Sequence, residues 1–93
     1  TLSDYPGYHI RIEGHTDDRP VGKSLKAKFS SNWELSTARA TAVIRFMIYG
    51  LQIDPQRLSA TGFAQYRPAG ENDTKEGRAM NRRIRAVIFK EME

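Results

Sequence analysis

One long helical run between two strand-like runs constrains this chain most. Residues 8–13, Tyr-His-Ile-Arg-Ile-Glu, place Tyr8, Ile10 and Ile12 at every second position, as a strand with one buried face does. A second apolar run at residues 58–63 also reads as a strand. Between them, Ser31-Asn32-Trp33-Glu34 has the form of a capping box, and the following residues carry helical spacing to about Tyr49, with Gly50 as a left-handed stop. A crossover this long, with a helix inside it, makes the two strands parallel and the connection right-handed. Asp54-Pro55 adds a cap and a first-position proline just before the second strand.

The remaining elements follow from similar signals. Residues 21–30 are small or basic and read as an exposed loop, as do the Gly- and Pro-containing residues 64–72. A short helix is expected over 73–81, capped by Asp73, and a last strand over 83–89 with Ile84, Ala86 and Ile88 on one face. The order strand, helix, strand, helix, strand is an α+β two-layer sandwich within a single domain spanning residues 1–93.

Composition closes several routes. With no cysteine among 93 residues, disulfide staples and thiolate zinc sites are excluded. No run approaches the roughly 20 apolar residues of a membrane-spanning helix. The formal charge is +4, and ten of the fifteen basic residues are arginine, which suits fork-like pairing with carboxylate or phosphate.

Three groups of residues could carry chemistry. His15, Asp17 and Asp18 follow the first strand and could ligate a divalent metal, but with His9 inside a strand and no cysteine, a turn cap is the stronger expectation. Neither a nucleophile nor a second positioned acid or base is specified, so no enzyme and no cofactor are expected. Arg78, Arg82, Arg83 and Arg85 form a basic cluster whose simplest account is a solvated rim or pairing with Asp73 and Glu76. Aromatic stacking partners are sparse there, so nucleic acid is not an expected partner.

The third group is the most informative. Stepping about 100° per residue from Leu35, Arg39 falls near 40°, inside the arc of Ala42, Val43 and Phe46. An arginine there is either partly buried with an acidic partner or lines a site. The helix start is expected close to the end of the first strand, which brings Asp17 near Asn32, Leu35 and Arg39. A buried Asp17–Arg39 ion pair and a site for a zwitterionic amino-acid head are both open at this point.

Three segments, Glu13-Gly14-His15-Thr16-Asp17-Asp18, Asn32-Trp33-Glu34-Leu35-Ser36-Thr37-Ala38-Arg39-Ala40 and Gly77-Arg78-Ala79-Met80-Asn81-Arg82-Arg83-Ile84, resemble the signatures of the OmpA-like peptidoglycan-binding domain. Their wording, with Asp17-Asp18-Arg19-Pro20 and the loop at 21–30, is most similar to the flagellar motor stator branch of that family. The resemblance implies a non-catalytic module that binds diaminopimelate of the peptidoglycan stem peptide. It assigns the ligand's ammonium to Asp17 and its carboxylate to Arg39, with Thr16, Asn32, Leu35 and Arg82 around them. It also implies a periplasmic domain, a homodimer, and a parent protein held in the inner membrane beside a membrane-embedded stator partner. The alternatives are an OmpA- or Pal-type outer-membrane anchoring module, or a dimerisation domain without ligand binding. Family domains begin one strand and one helix earlier, and residues 1–7 supply neither, so the resemblance implies an N-terminally truncated βαβαβ unit with an exposed sheet edge.

Overall fold

A computed structural model describes residues 7–90; the expectation about residues 1–6 lies outside the described residues. The elements are β1 (Tyr8–His15), α1 (Lys23–Lys26), α2 (Asn32–Tyr49), a 3-10 turn (Pro55–Arg57), β2 (Leu58–Gly62), α3 (Lys75–Asn81) and β3 (Arg83–Lys90). The sheet has the order β2-β1-β3. Its central strand β1 runs parallel to β2 and antiparallel to β3, so the long crossover pairs parallel strands and the architecture is the expected α+β sandwich with a mixed sheet.

Alternation along β1 sets the layers. Ile10 and Ile12 face α2 and are buried with Ala40, and Val43, Ile44, Met47 and Leu58 pack against them. Burying each isoleucine contributes about 1.5–3 kcal/mol. The helix lies over β1 and β2. β3 continues the same face, since Ile84, Ala86 and Ile88 pair with Gly14, Ile12 and Ile10, yet Ile84 and Ile88 remain 41% and 52% exposed.

Glycine governs how closely the layers approach. β1 runs two residues past the alternating stretch at 8–13, through Gly14 to His15. A Cβ at Gly14 would lie 2.0 Å from the Ser36 carbonyl oxygen, and one at Gly62 would lie 2.2 Å from Thr37 Oγ1. Only bare backbone fits between the ends of these strands and the first turns of α2, and this seats the start of the helix beside the residues that follow β1.

The caps match the sequence in part. The Ser31 hydroxyl accepts from the Trp33 amide at 3.1 Å, while the Glu34 carboxylate takes the Ser30 and Ser31 hydroxyls rather than a cap amide. Gly50 stays right-handed at φ −91°; the left-handed residue is Gln52 at φ 57°. Asp54 caps the 3-10 turn through the Gln56 amide, with Pro55 in its first position. Residues 23–26 form one turn of helix where a loop was expected. Helix α3 is capped by Thr74, whose hydroxyl accepts from the Gly77 amide at 2.9 Å, and not by Asp73. The threonine stands three residues before that amide, the spacing a capping hydroxyl needs.

Candidate functional site

The chain leaves β1 at His15 and turns at once. Thr16 donates its amide to the Ala64 carbonyl at 2.9 Å and its hydroxyl to the Asp17 carbonyl at 2.8 Å, so both residues are buried at the end of the sheet. The Asp17 carboxylate is held from two sides. Oδ1 accepts from the Arg19 amide at 3.0 Å, and Oδ2 accepts from Arg82 Nη1 at 2.8 Å. A carboxylate offers about four acceptor positions, so these two bonds leave one on each oxygen unused. Asn32, the first residue of α2, donates Nδ2 to the Arg19 carbonyl at 2.9 Å and, more weakly, to that of Asp17 at 3.4 Å. The helix start and the strand end are thereby tied together.

Arg82 reaches Asp17 because Asn81 fixes the chain just before it. Asn81 is fully buried. Its Oδ1 accepts from the Ala69 and Gly70 amides at 2.7 and 2.8 Å, and its Nδ2 donates to the Gly70 carbonyl and to Asn72 Oδ1. One side chain thus holds the loop after β2 against the end of α3. Reasoning from sequence did not single Asn81 out; an amide between a helix end and two arginines was the available signal.

Thr16, Asp17, Asn32 and Arg82 therefore meet. Leu35 and Arg39 stand one and two turns further along the same stripe of α2 as Asn32. They line an apolar groove of about 300 Å3 with Leu25, Phe29, Ala38 and Ala42. Arg39 is exposed, and among the described residues it has no hydrogen bond or ion pair. The partner of Asp17 is Arg82, so of the two alternatives left open by the sequence the Asp17–Arg39 ion pair does not form. The face that α2 buries carries Ala40, Val43, Ile44 and Met47, whereas Ala42 and Phe46, expected to be buried beside Arg39, are exposed as it is.

The basic cluster divides as well. Arg78 donates to the Asn72 carbonyl at 2.9 Å and Arg82 turns to Asp17. Arg83 and Arg85 pair with His15 and Glu13 across β1 and β3, on the sheet face away from α2. His15 belongs to that face too. Its Nε2 donates to Glu13 Oε1 at 3.1 Å, so it does not join Asp17 and Asp18. Among the described residues no group of three or more His, Cys, Asp or Glu is placed to hold a metal ion.

Glu13 is a buried acid that sequence reasoning left unassigned. Burial alone pushes its carboxyl up, but hydrogen bonds from His15 and Arg11 and the charges of Arg11 and Arg85 outweigh burial and hold it below the usual carboxylate range. Period-two alternation marked this face as polar, and the surprise is that Glu13 and His15 on it are as buried as Ile10 and Ile12.

Residues 2–82 match the model of the OmpA family. The chain is 46% identical over 87 residues to outer membrane protein Omp38 of Acinetobacter baumannii, which covers 94% of this chain and 22% of that protein. It is 40% identical over 84 residues to Motility protein B of Bacillus subtilis, covering 90% of this chain and 31% of that one. It thus spans less than a third of the length of either relative. Among solved structures, the cell wall anchor of the T6SS from Pseudomonas aeruginosa superposes with a TM-score of 0.81 at 34% identity, covering 97% of this chain and 59% of that one.

Proposed function

Since the chain belongs to the OmpA family, we propose that it is a periplasmic, non-catalytic module that anchors a membrane complex to the cell wall, holding diaminopimelate of the peptidoglycan stem peptide between Asp17 and Arg39. The observation that carries this reading is the contrast between the two charged groups. Asp17 is buried and fixed with spare acceptor positions, while Arg39 is exposed and, among the described residues, unpaired. An amino-acid head supplies an ammonium for the first and a carboxylate for the second. Long side chains on a helix lean toward its N-terminus, which directs Arg39 back toward Asn32 and the Asp17 turn. Arg82, itself half-exposed, holds Asp17 and adds a second guanidinium at the ligand's edge. Charge-assisted bonds at both ends supply specificity.

The similarity to Motility protein B and to a cell wall anchor supports a wall-anchored complex in the inner membrane, with a membrane-embedded stator partner. A second reading, an outer-membrane anchor using the same site, is favoured by the 46% identity to an outer membrane protein. Dimerisation is the third element of the proposal. It is supported by the exposed Ile84 and Ile88 on edge strand β3.

Sedimentation with purified sacculi tests the site. Wild type should pellet with diaminopimelate-type sacculi and much less with lysine-type sacculi, which lack the second carboxylate. Arg39→Ala should lose at least tenfold in binding while its melting temperature stays unchanged, because its side chain is exposed and unpaired. Full binding by Arg39→Ala, or equal binding to the two wall types, would refute the assignment.

A further inference from the structure

The sheet face away from α2 carries a second cleft, of about 470 Å3, that the proposed peptide site does not use. Four arginines line it: Arg11 from β1, Arg83 and Arg85 from β3, and Arg67 from the loop after β2, with Glu13 as the one carboxylate among the lining residues. That carboxylate is already engaged. Oε2 takes both Nε and Nη2 of Arg11 at 3.2 and 3.0 Å, and Oε1 takes His15. Arg85 comes no closer to it than 3.9 Å.

The other two guanidinium groups have no acid among the described residues. Arg67 lies over the Phe63 ring at 5.0 Å, and Arg83 gives one nitrogen to the Arg67 carbonyl at 3.0 Å. The second nitrogen of Arg83, Nη1, is buried without a hydrogen-bond partner. A buried donor left unpaired is costly, and cationic donors around a polar cleft call for an anionic acceptor.

The shape of the unmet demand decides which anion. A carboxylate has only two oxygens, and in Glu13 one is spent on Arg11 and the other on His15. Arg67, Arg83 and Arg85 come from a loop and from one edge strand, and each retains donors. An acceptor with at least three oxygens and more than one charge satisfies them together. We propose that this cleft is an anion site for a phosphate group, carried by soluble phosphate or presented by a lipid headgroup. It stands independently of the stem-peptide reading, on the opposite face of the sheet.

Titration of the 15N-labelled chain with sodium phosphate at constant ionic strength tests it. Phosphate should move the amides of residues 63–68 and 83–85 saturably, with at least tenfold higher affinity than acetate. Arg83→Met and, separately, Arg67→Met on the exposed loop should each weaken phosphate about tenfold, whereas Arg39→Ala should leave it unchanged. Capture on phosphatidylglycerol vesicles that is lost in both methionine variants assigns the lipid headgroup. Phosphate binding without capture assigns the soluble anion. Equal responses to phosphate and acetate, shifts spread over every arginine, or an unchanged response in Arg67→Met and Arg83→Met would overturn the proposal.

Discussion

Toward its C-terminal end β1 is buried on both faces, and by opposite means. Toward α2, Ile10 and Ile12 are 3% and 2% exposed, packed among apolar side chains. Away from α2, Glu13 and His15 are 4% and 2% exposed, held in a chain of charge-assisted bonds with Arg11. The first face gains free energy by leaving water and needs no particular orientation of its atoms. The second must recover the cost of desolvating a carboxylate through directed partners. A central strand can therefore anchor a fold on one side and hold a charged cleft on the other.

The sharpest way to break this comparison is at Ile12. Truncation to alanine removes apolar volume from a site walled by β1, β2 and α2, and should cost about 2–4 kcal/mol in urea unfolding. A loss below about 1 kcal/mol would mean that the apolar face is not where stability resides.

Glu13→Gln probes the other face through its charge. The expected loss is smaller, about 1–2 kcal/mol near pH 7, since the amide keeps the shape and one acceptor. Its pH dependence carries the diagnosis. The folded pKa of Glu13 is depressed, so its contribution is full above the unfolded carboxyl value of about 4.3 and is lost as pH falls through the folded value. Unfolding curves of wild type and Glu13→Gln should stay apart above the unfolded carboxyl value and converge as pH falls below it through the depressed folded value. A constant gap from pH 3 to pH 7 would show that geometry, not charge, is what the variant removes.

The same contrast explains how much was legible in the sequence. Apolar periodicity is a local signal, and it marked Ile10, Ile12, the course of α2 and the parallel crossover. Asp54 and Pro55 act locally too, and they sit where their chemistry indicates. Partners distant in sequence were less visible. Arg39 was singled out by its position on a helical wheel, but the guanidinium that holds Asp17 comes from 65 residues away. Asn81 was hidden because its four hydrogen bonds go to three residues of a loop whose path depends on Asn81 itself. Glu13 was read as part of a polar face and His15 as part of the turn after the strand, because alternation reports polarity and cannot report that β3 and the loop after β2 cover this face. The left-handed residue moved from Gly50 to Gln52 because α2 continues right-handed through the glycine.

The smallest expected effect sharpens the comparison most finely. Ile88 lies on the same face as Ile10 and pairs with it directly, yet it is 52% exposed because α2 lies over β1 and β2. If burial rather than strand position gives the isoleucines their weight, Ile88→Ser should change stability by no more than about 0.5 kcal/mol at a dilution where the chain is monomeric. At high concentration the prediction changes if β3 serves as a contact between copies. The wild type then gains stability with concentration, because association favours the folded form, while the variant does not. Measuring the melting temperature of both across a hundredfold concentration range separates the two contributions. A large loss at the lowest concentration would mean that Ile88 is already covered within a single chain, and that the division between a covered and an uncovered part of this sheet face is wrong.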